Sequence, residues 1–258
     1  MDYTGLVNEF FEVDGAQLAV RCIGDPSIGP TLVMLHEGLG CITQWSDMPD
    51  RLHNSTGLPV VVYDRSGYGR SSPGPSYYGP NFMYDEAERS LPDLLNLLAI
   101  KEPVLFGHSD GGTIALIAAA SGRVPATAVV TIAAHIFVEE ACLNGVREIT
   151  RRRDQVLTGM ARHHNDPATT FDRWSNVWQD PKFAQFDMRG DLPQIKCPLL
   201  VLQGDRDEYA TAEMIQGVTD KVPHAIGHFL NECGHIAHRE QPELVVAELT
   251  NFLNNLQK

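Results

Sequence analysis

Runs rich in β-branched and aromatic residues recur along the chain at 10–13, 17–23, 31–36, 58–64, 103–108, 126–133, 198–204 and 223–230. From residue 31 onward they are mostly continuous apolar stretches rather than alternating ones. That is the pattern of strands buried on both faces of a parallel sheet. Helical patterns separate them. Tyr84, Ala87, Leu91, Leu94, Leu95 and Leu98 recur at spacings of three and four, which places them on one face of a helix. Val245, Leu249, Phe252 and Leu256 repeat the pattern near the C-terminus, with Pro242 suited to a first helical turn. Strands alternating with helices predict an α/β fold with a doubly wound, mostly parallel sheet.

One segment breaks the alternation. Residues 136–196 contain no strand-like run but do carry a helical stripe through Ile149, Val156, Leu157 and Met160. A plain crossover between parallel strands needs one helix, so this segment is expected to form a helical cap. It would lie over the C-terminal edge of the sheet, where open α/β sheets bind ligands. The core then comprises residues 1–135 and 197–258.

Composition narrows the class. The chain has 258 residues, 43% of them hydrophobic, enough to bury a core without staples. No stretch approaches the roughly 20 apolar residues of a membrane span. The start, Met1-Asp2-Tyr3-Thr4, lacks the basic and apolar regions of a signal peptide. With 20 basic against 33 acidic side chains the net charge is −13, which disfavours nucleic acid and anionic membrane surfaces as partners. Residues 136–196 are neutral by count, so this excess sits on the rest of the chain. Within them the Arg151-Arg152-Arg153 run reads as a solvated helix face. The five cysteines (Cys22, Cys41, Cys142, Cys197, Cys233) form no C-x-x-C pair. Scattered thiols suit a reducing compartment, and cytoplasm is the expected location. No metal cluster, nucleotide loop or redox motif emerges, so no cofactor is implied, and the expected partner is a small-molecule substrate.

The strongest chemical signal is Gly107-His108-Ser109-Asp110-Gly111, followed by Gly112. It lies between an apolar strand and a helix rich in small residues, which is the context a G-x-S-x-G nucleophile turn needs. A serine on a tight strand-to-helix turn takes strained backbone angles, and the flanking glycines let neighbouring backbone pass close by. Were Asp110 the nucleophile instead, His108 would occupy a flank that needs a small residue. A serine hydroxyl is a weak nucleophile and needs a base held by an acid. Downstream, Gly204-Asp205-Arg206-Asp207-Glu208 follows one strand and Cys233-Gly234-His235 the next.

The order Ser, Asp, His over nearly the whole chain resembles the α/β-hydrolase superfamily. The resemblance implies a triad of Ser109, Asp207 and His235. The family's G-x-x-D selects Asp207 over Asp205, and relatives that carry the acid one strand earlier would point to Glu139 or Glu140. His238 resembles a structural position, hydrogen-bonded to nearby chain. The oxyanion hole is expected from the backbone N–H groups of Asp110 and Gly38. In the loop His36-Glu37-Gly38-Leu39-Gly40, Glu37 replaces the usual glycine. Its plain reading turns the side chain away from the site; a sharper one makes it a pocket carboxylate. Asp64-Arg65-Ser66-Gly67-Tyr68-Gly69-Arg70-Ser71 is similar to an architectural loop of the family, with Ser66 in place of a glycine. Trp45 is expected in the core beneath the oxyanion loop.

Candidate substrate contacts are His108, Glu37, Trp174 and Trp178, although packing residues 136–196 onto the sheet is the favoured reading of the two tryptophans. The loop pattern around Gly38-Leu39-Gly40 and Trp45 is similar to small members such as 3-oxoadipate enol-lactonases and aminoacrylate hydrolases. That resemblance implies hydrolysis of a small ester or lactone through an acyl-enzyme. C–C bond hydrolysis, perhydrolysis, cofactor-free dioxygenation and a receptor role are alternatives on the same scaffold.

Overall fold

The computed structural model describes residues 9–256; the start Met1-Asp2-Tyr3-Thr4, read above for a signal peptide, lies outside them. Each expected strand forms: β1 Glu9–Val13, β2 Ala16–Ile23, β3 Pro30–Leu35, β4 Val60–Tyr63, β5 Glu102–His108, β6 Ala128–Ile132, β7 Leu199–Gly204 and β8 Ala225–Leu230. They make one sheet in the order β1-β2-β4-β3-β5-β6-β7-β8. The pairings β1 to β2 and β2 to β4 are antiparallel. The others are parallel, in keeping with the unbroken apolar runs of β3 to β7, while β8 at the sheet edge is partly exposed. β1 and β2 are joined by Asp14-Gly15, both at positive φ (50° and 78°), the turn whose twist matches a hairpin.

The helices are α1 Met48–Thr56, α2 Phe82–Asp85, α3 Leu91–Leu97, α4 Asp110–Ser121, α5 Glu140–Arg151, α6 Arg153–Met160, α7 Pro167–Trp178, α8 Glu213–Lys221, α9 Ala237–Glu240 and α10 Pro242–Leu256. Strand residues feed two cores alternately. Leu32, Met34, Val60, Val62 and Phe106 pack with Leu52 of α1 and Val245, Leu249 and Phe252 of α10. Val33, Leu35, Val61 and Leu105 face the other way, against Leu91, Leu94, Ile114 and Met214. The stripe from Tyr84 to Leu98 is one continuous helical segment, except that a π turn over Glu86–Ser90 separates α2 from α3. Leu256, expected in the core stripe of α10, is the last residue of that helix and is 43% exposed. Among the described residues no helix is long and apolar enough to cross a membrane.

Between β6 and β7 stand α5, α6 and α7, with an isolated bridge from Phe137 to Asp187 at their base. α7 starts cleanly: Asp166 caps it by accepting from Thr169 N at 3.0 Å, and Pro167 fills the first turn. It is then tied to the loop after β4. The buried Arg173 donates to the carbonyls of Pro75 (2.9 Å) and Gly67 (3.1 Å) and lies over the rings of Tyr68 and Tyr78. Thr170 Oγ1 donates to Gly67 O at 2.7 Å. These contacts fix the helix that carries Trp174 and Trp178. Of the arginine run, Arg151 pairs with Glu148 and Arg153 with Asp172.

The topology also locates the site. From β3 the chain moves to β4 on one side, and β5 then lies on the other side of β3. Loops leaving β3 and β5 therefore diverge at the C-terminal edge, the switch point where open α/β sheets hold ligands. α4 starts there, pressed onto β3: a Cβ at Gly111 would stand 2.1 Å from the carbonyl oxygen of Leu35 and 2.6 Å from that of His36. In an ordinary helix alanine outperforms glycine by about 1 kcal/mol. Here Gly111→Ala is expected to lower unfolding free energy by about 3 kcal/mol, since backbone must shift to admit the methyl. Chemical denaturation of the purified variant measures it.

Candidate active site

β5 ends in a sharp elbow. Ser109 has φ 51° and ψ −120°, an unfavourable conformation for a non-glycine residue, and is 7% exposed. Its N–H donates to the carbonyl of Ile132 on β6 at 2.9 Å, and its carbonyl accepts from Thr113 N at 3.0 Å. The elbow requires its glycines: a Cβ at Gly107 would lie 2.2 Å from the carbonyl oxygen of Gly111.

Asp207 and His235 come from the two loops that follow β7 and β8. The loops are laced together. Asp205 N donates to Leu230 O (3.0 Å), Arg206 N to Cys233 O (2.9 Å), and Cys233 N to Asp205 Oδ1 (3.2 Å). Gly204 allows this approach, because a Cβ there would stand 2.2 Å from Cys233 O. His235 Nδ1 lies 2.9 and 3.0 Å from the two carboxylate oxygens of Asp207, whose side chain is fully buried. Asp207 Oδ1 also accepts from Tyr209 N at 2.9 Å. Burial alone would lower the basicity of His235, but the hydrogen bond and charge of Asp207 outweigh it and hold the imidazole above its usual pKa. In the same pair, burial would raise Asp207, and His235 holds it below the usual carboxylate value. Asp205 bonds to the loop of His235 rather than to its ring. Glu139 is engaged elsewhere, accepting from Thr211 N and Oγ1.

The loop after β3 supplies Gly38. A Cβ at this position would fall 2.0 Å from Nε1 of Trp174, so only glycine lets α7 close over the loop. Asp110, as the first residue of α4, has an N–H with no carbonyl partner inside the helix. Its side chain is buried, and burial pushes the carboxyl up to about 6. Asp64 anchors the β3 loop from the architectural segment, accepting from Ile42 N (2.6 Å) and Arg70 N (2.8 Å). Trp45 is buried beneath it against Phe106.

A cavity of about 460 Å³ opens over Ser109. Gly38, Asp110, His235, Trp174 and Trp178 all line it, as do Val146, Ile149 and Met160 from residues 136–196. Arg152 of the arginine run also lines it, so that run is not wholly a solvated face. Glu37 does not turn away. It lines the cavity at 17% side-chain exposure, with a carboxylate oxygen 3.6 Å from His108 Nδ1. Burial would raise its pKa, but the imidazoles of His108, His238 and His36 hold the carboxyl well below the usual range. His108, expected as a substrate contact, borders the cavity with 0% exposure, and its Nε2 bonds to the backbone carbonyl of His235. His238, expected to be hydrogen-bonded, has no partner at either ring nitrogen and packs between Trp45 and His108.

Two cavity residues had no sequence signal. His135 stands in the loop after β6, its ring stacked 5.9 Å from that of His235 and edge-on to Trp178 at 5.2 Å. Burial pushes it down to about 3, so it is neutral at ordinary pH. Tyr209 places its ring 4.6 Å from His235. Among the described residues no group of histidine, cysteine and carboxylate side chains is arranged to hold a metal ion.

The sequence profile of the alpha/beta hydrolase family matches residues 32–248, and the chain belongs to that family. Serine hydrolase BPHL of Homo sapiens is 27% identical over 216 residues, covering 79% of this chain and 72% of that protein. The proline iminopeptidase of Lactiplantibacillus plantarum is 25% identical over 284 residues, covering 93% and 98%. Among solved structures, the enol-lactonase from Burkholderia xenovorans LB400 superposes with a TM-score of 0.75 at 21% identity, covering 95% of this chain and 99% of that one.

Proposed function

We propose that the chain is a serine hydrolase that cleaves a small-molecule carboxylic ester or lactone through an acyl-enzyme. The observation that carries this reading is that His235, hydrogen-bonded to the buried Asp207, lines the same cavity as Ser109 on its strained elbow. His235 takes the proton of Ser109 as the hydroxyl attacks the carbonyl carbon, and Asp207 fixes the tautomer and stabilises the imidazolium. The N–H groups of Gly38 and Asp110 receive the oxyanion. His235 then returns the proton to the leaving oxygen, and water activated by the same imidazole releases the acid.

Residues 136–196 act as a cap over the cavity, since their side chains supply much of its apolar wall. A pocket of about 460 Å³ suits a small substrate rather than a polymer. Cys41, Cys142 and Cys233 are buried and unbridged, which supports a cytoplasmic location. The relatives include an enol-lactonase, an esterase and iminopeptidases, which supports hydrolysis while leaving ester and lactone as the first classes to assay.

The test is turnover of p-nitrophenyl esters from acetyl to dodecanoyl, with Ser109→Ala protein as control. Ser109-dependent kcat/KM is expected to be highest for the shortest acyl groups and lower by on the order of tenfold at dodecanoyl, as the chain outgrows the walls. Folded protein that turns over no ester would move the assignment to C–C cleavage, dioxygenation or a receptor.

A further inference from the structure

The buried His108 and the half-buried Glu37 stand close to the proposed triad, and the mechanism above uses neither. His108 immediately precedes Ser109 on the elbow. Its Nε2 lies 2.9 Å from the backbone carbonyl oxygen of His235. A carbonyl only accepts, so the proton sits on Nε2. Its Nδ1 is sealed from solvent, has no hydrogen-bond partner within ordinary reach, and points at Glu37 Oε2 across 3.6 Å. A bare Nδ1 lone pair facing a carboxylate would be two acceptors opposed in a buried place. One shared proton removes that conflict and makes the contact attractive.

We infer that Glu37 and His108 form a second carboxylate–imidazole pair whose task is to position the first, by joining the loop of Gly38, the elbow of Ser109 and the loop of His235. This rests on the serine-hydrolase reading and adds a positioning unit to it. Glu37 neighbours the oxyanion donor, His108 neighbours the nucleophile, and the bonded carbonyl belongs to the base itself. Asp207 holds the ring of His235 from one side while His108 holds its main chain from another. The rings of His108 and His235 stand 5.1 Å apart. His238 completes the packing, its ring 4.9 Å from that of His108 and 4.6 Å from that of Trp45. Glycine at position 37 would leave Nδ1 of His108 without this partner, which accounts for the glutamate here. The His108 ring is fully buried at the wall of the cavity, and both of its nitrogens face protein groups, so its expected effect is on geometry.

The test compares His108→Phe, which keeps a ring and removes both nitrogens, with His108→Gln, whose amide N–H stands near the place of Nε2. Two readouts are taken: kcat and KM on the best ester, and the rate at which a fluorophosphonate probe labels Ser109. With the base displaced by up to an ångström, kcat and the labelling rate of His108→Phe are expected to fall together by on the order of 10², with KM within about twofold of wild type. His108→Gln is expected to regain about tenfold of that loss. Equal losses in the two variants, a loss confined to KM, or no loss would overturn the positioning role.

If His108→Phe does not fold, a double-mutant cycle decides. Glu37→Leu should lower kcat about tenfold in the wild-type background and have little further effect on His108→Gln, where the pair is already broken. Fully additive losses would overturn the pair. Labelling that is absent from Ser109→Ala but present in wild type establishes the nucleophile separately. Wild-type protein that is never labelled would sink both readings.

Discussion

Ser109→Ala is expected to lower kcat on the best ester by about 10⁶, and His235→Ala by a similar factor. The two side chains act on one bond: without the hydroxyl there is nothing to acylate, and without the imidazole the hydroxyl keeps its proton. Their effects should therefore be strongly non-additive, the double variant being no slower than either single one. A residual rate over water of about 10³ is expected from the backbone donors and binding alone. Alanine at position 109 meets the same strained φ of 51° as serine, so the fold should persist and thermal unfolding should be little changed. Burst kinetics with p-nitrophenyl acetate, monitored on both variants, measure the loss. A drop of only tenfold in Ser109→Ala would remove the acyl-enzyme from the mechanism.

Asp207→Asn is expected to cost about 10⁴ in kcat. Both carboxylate oxygens lie within hydrogen-bond distance of His235 Nδ1, so in the proposed mechanism Asp207 fixes the proton on that nitrogen and leaves Nε2 free to act as base. An asparagine amide can donate to Nδ1 instead, which moves the ring proton to Nε2 and removes the base. The pH profile carries a second signature. His235 must be neutral to accept a proton, and Asp207 holds its pKa above the usual value. Activity should therefore fall as pH drops through that raised pKa, and the acid limb of Asp207→Asn should lie at lower pH. Asp205→Asn serves as the comparison. Asp205 holds the loop of His235 through Cys233 N, so its loss should be milder. If Asp205→Asn were the crippling change, the acid would be misassigned.

Much of this site could be read from the chain because its chemistry is tied to local backbone. The elbow at Ser109 needs small neighbours, and Gly107, Gly111 and Gly112 announce it within six residues. Asp207 and His235 each follow an apolar run that becomes a strand, so both are delivered to the same sheet edge. What could not be read depends on contacts distant in sequence. Nothing near Glu37 shows that its carboxylate meets His108, seventy-one positions away; the contact exists because β3 and β5 are neighbours in register. His135 carries no motif and reaches the cavity only because β6 lies beside β5. Trp174 sits over Gly38 because Arg173 and Thr170 pin α7 to the loop after β4.

The sequence by itself determined the order of strands and helices, the parallel sheet, and the residue types at the proposed nucleophile, acid and base. Those follow from apolar periodicity and from turns that tolerate only certain residues. The tertiary structure alone decided which buried carboxylate faces which imidazole, because that choice is made by strand order and loop approach, where side chains far apart in the chain are forced to share a space that excludes water.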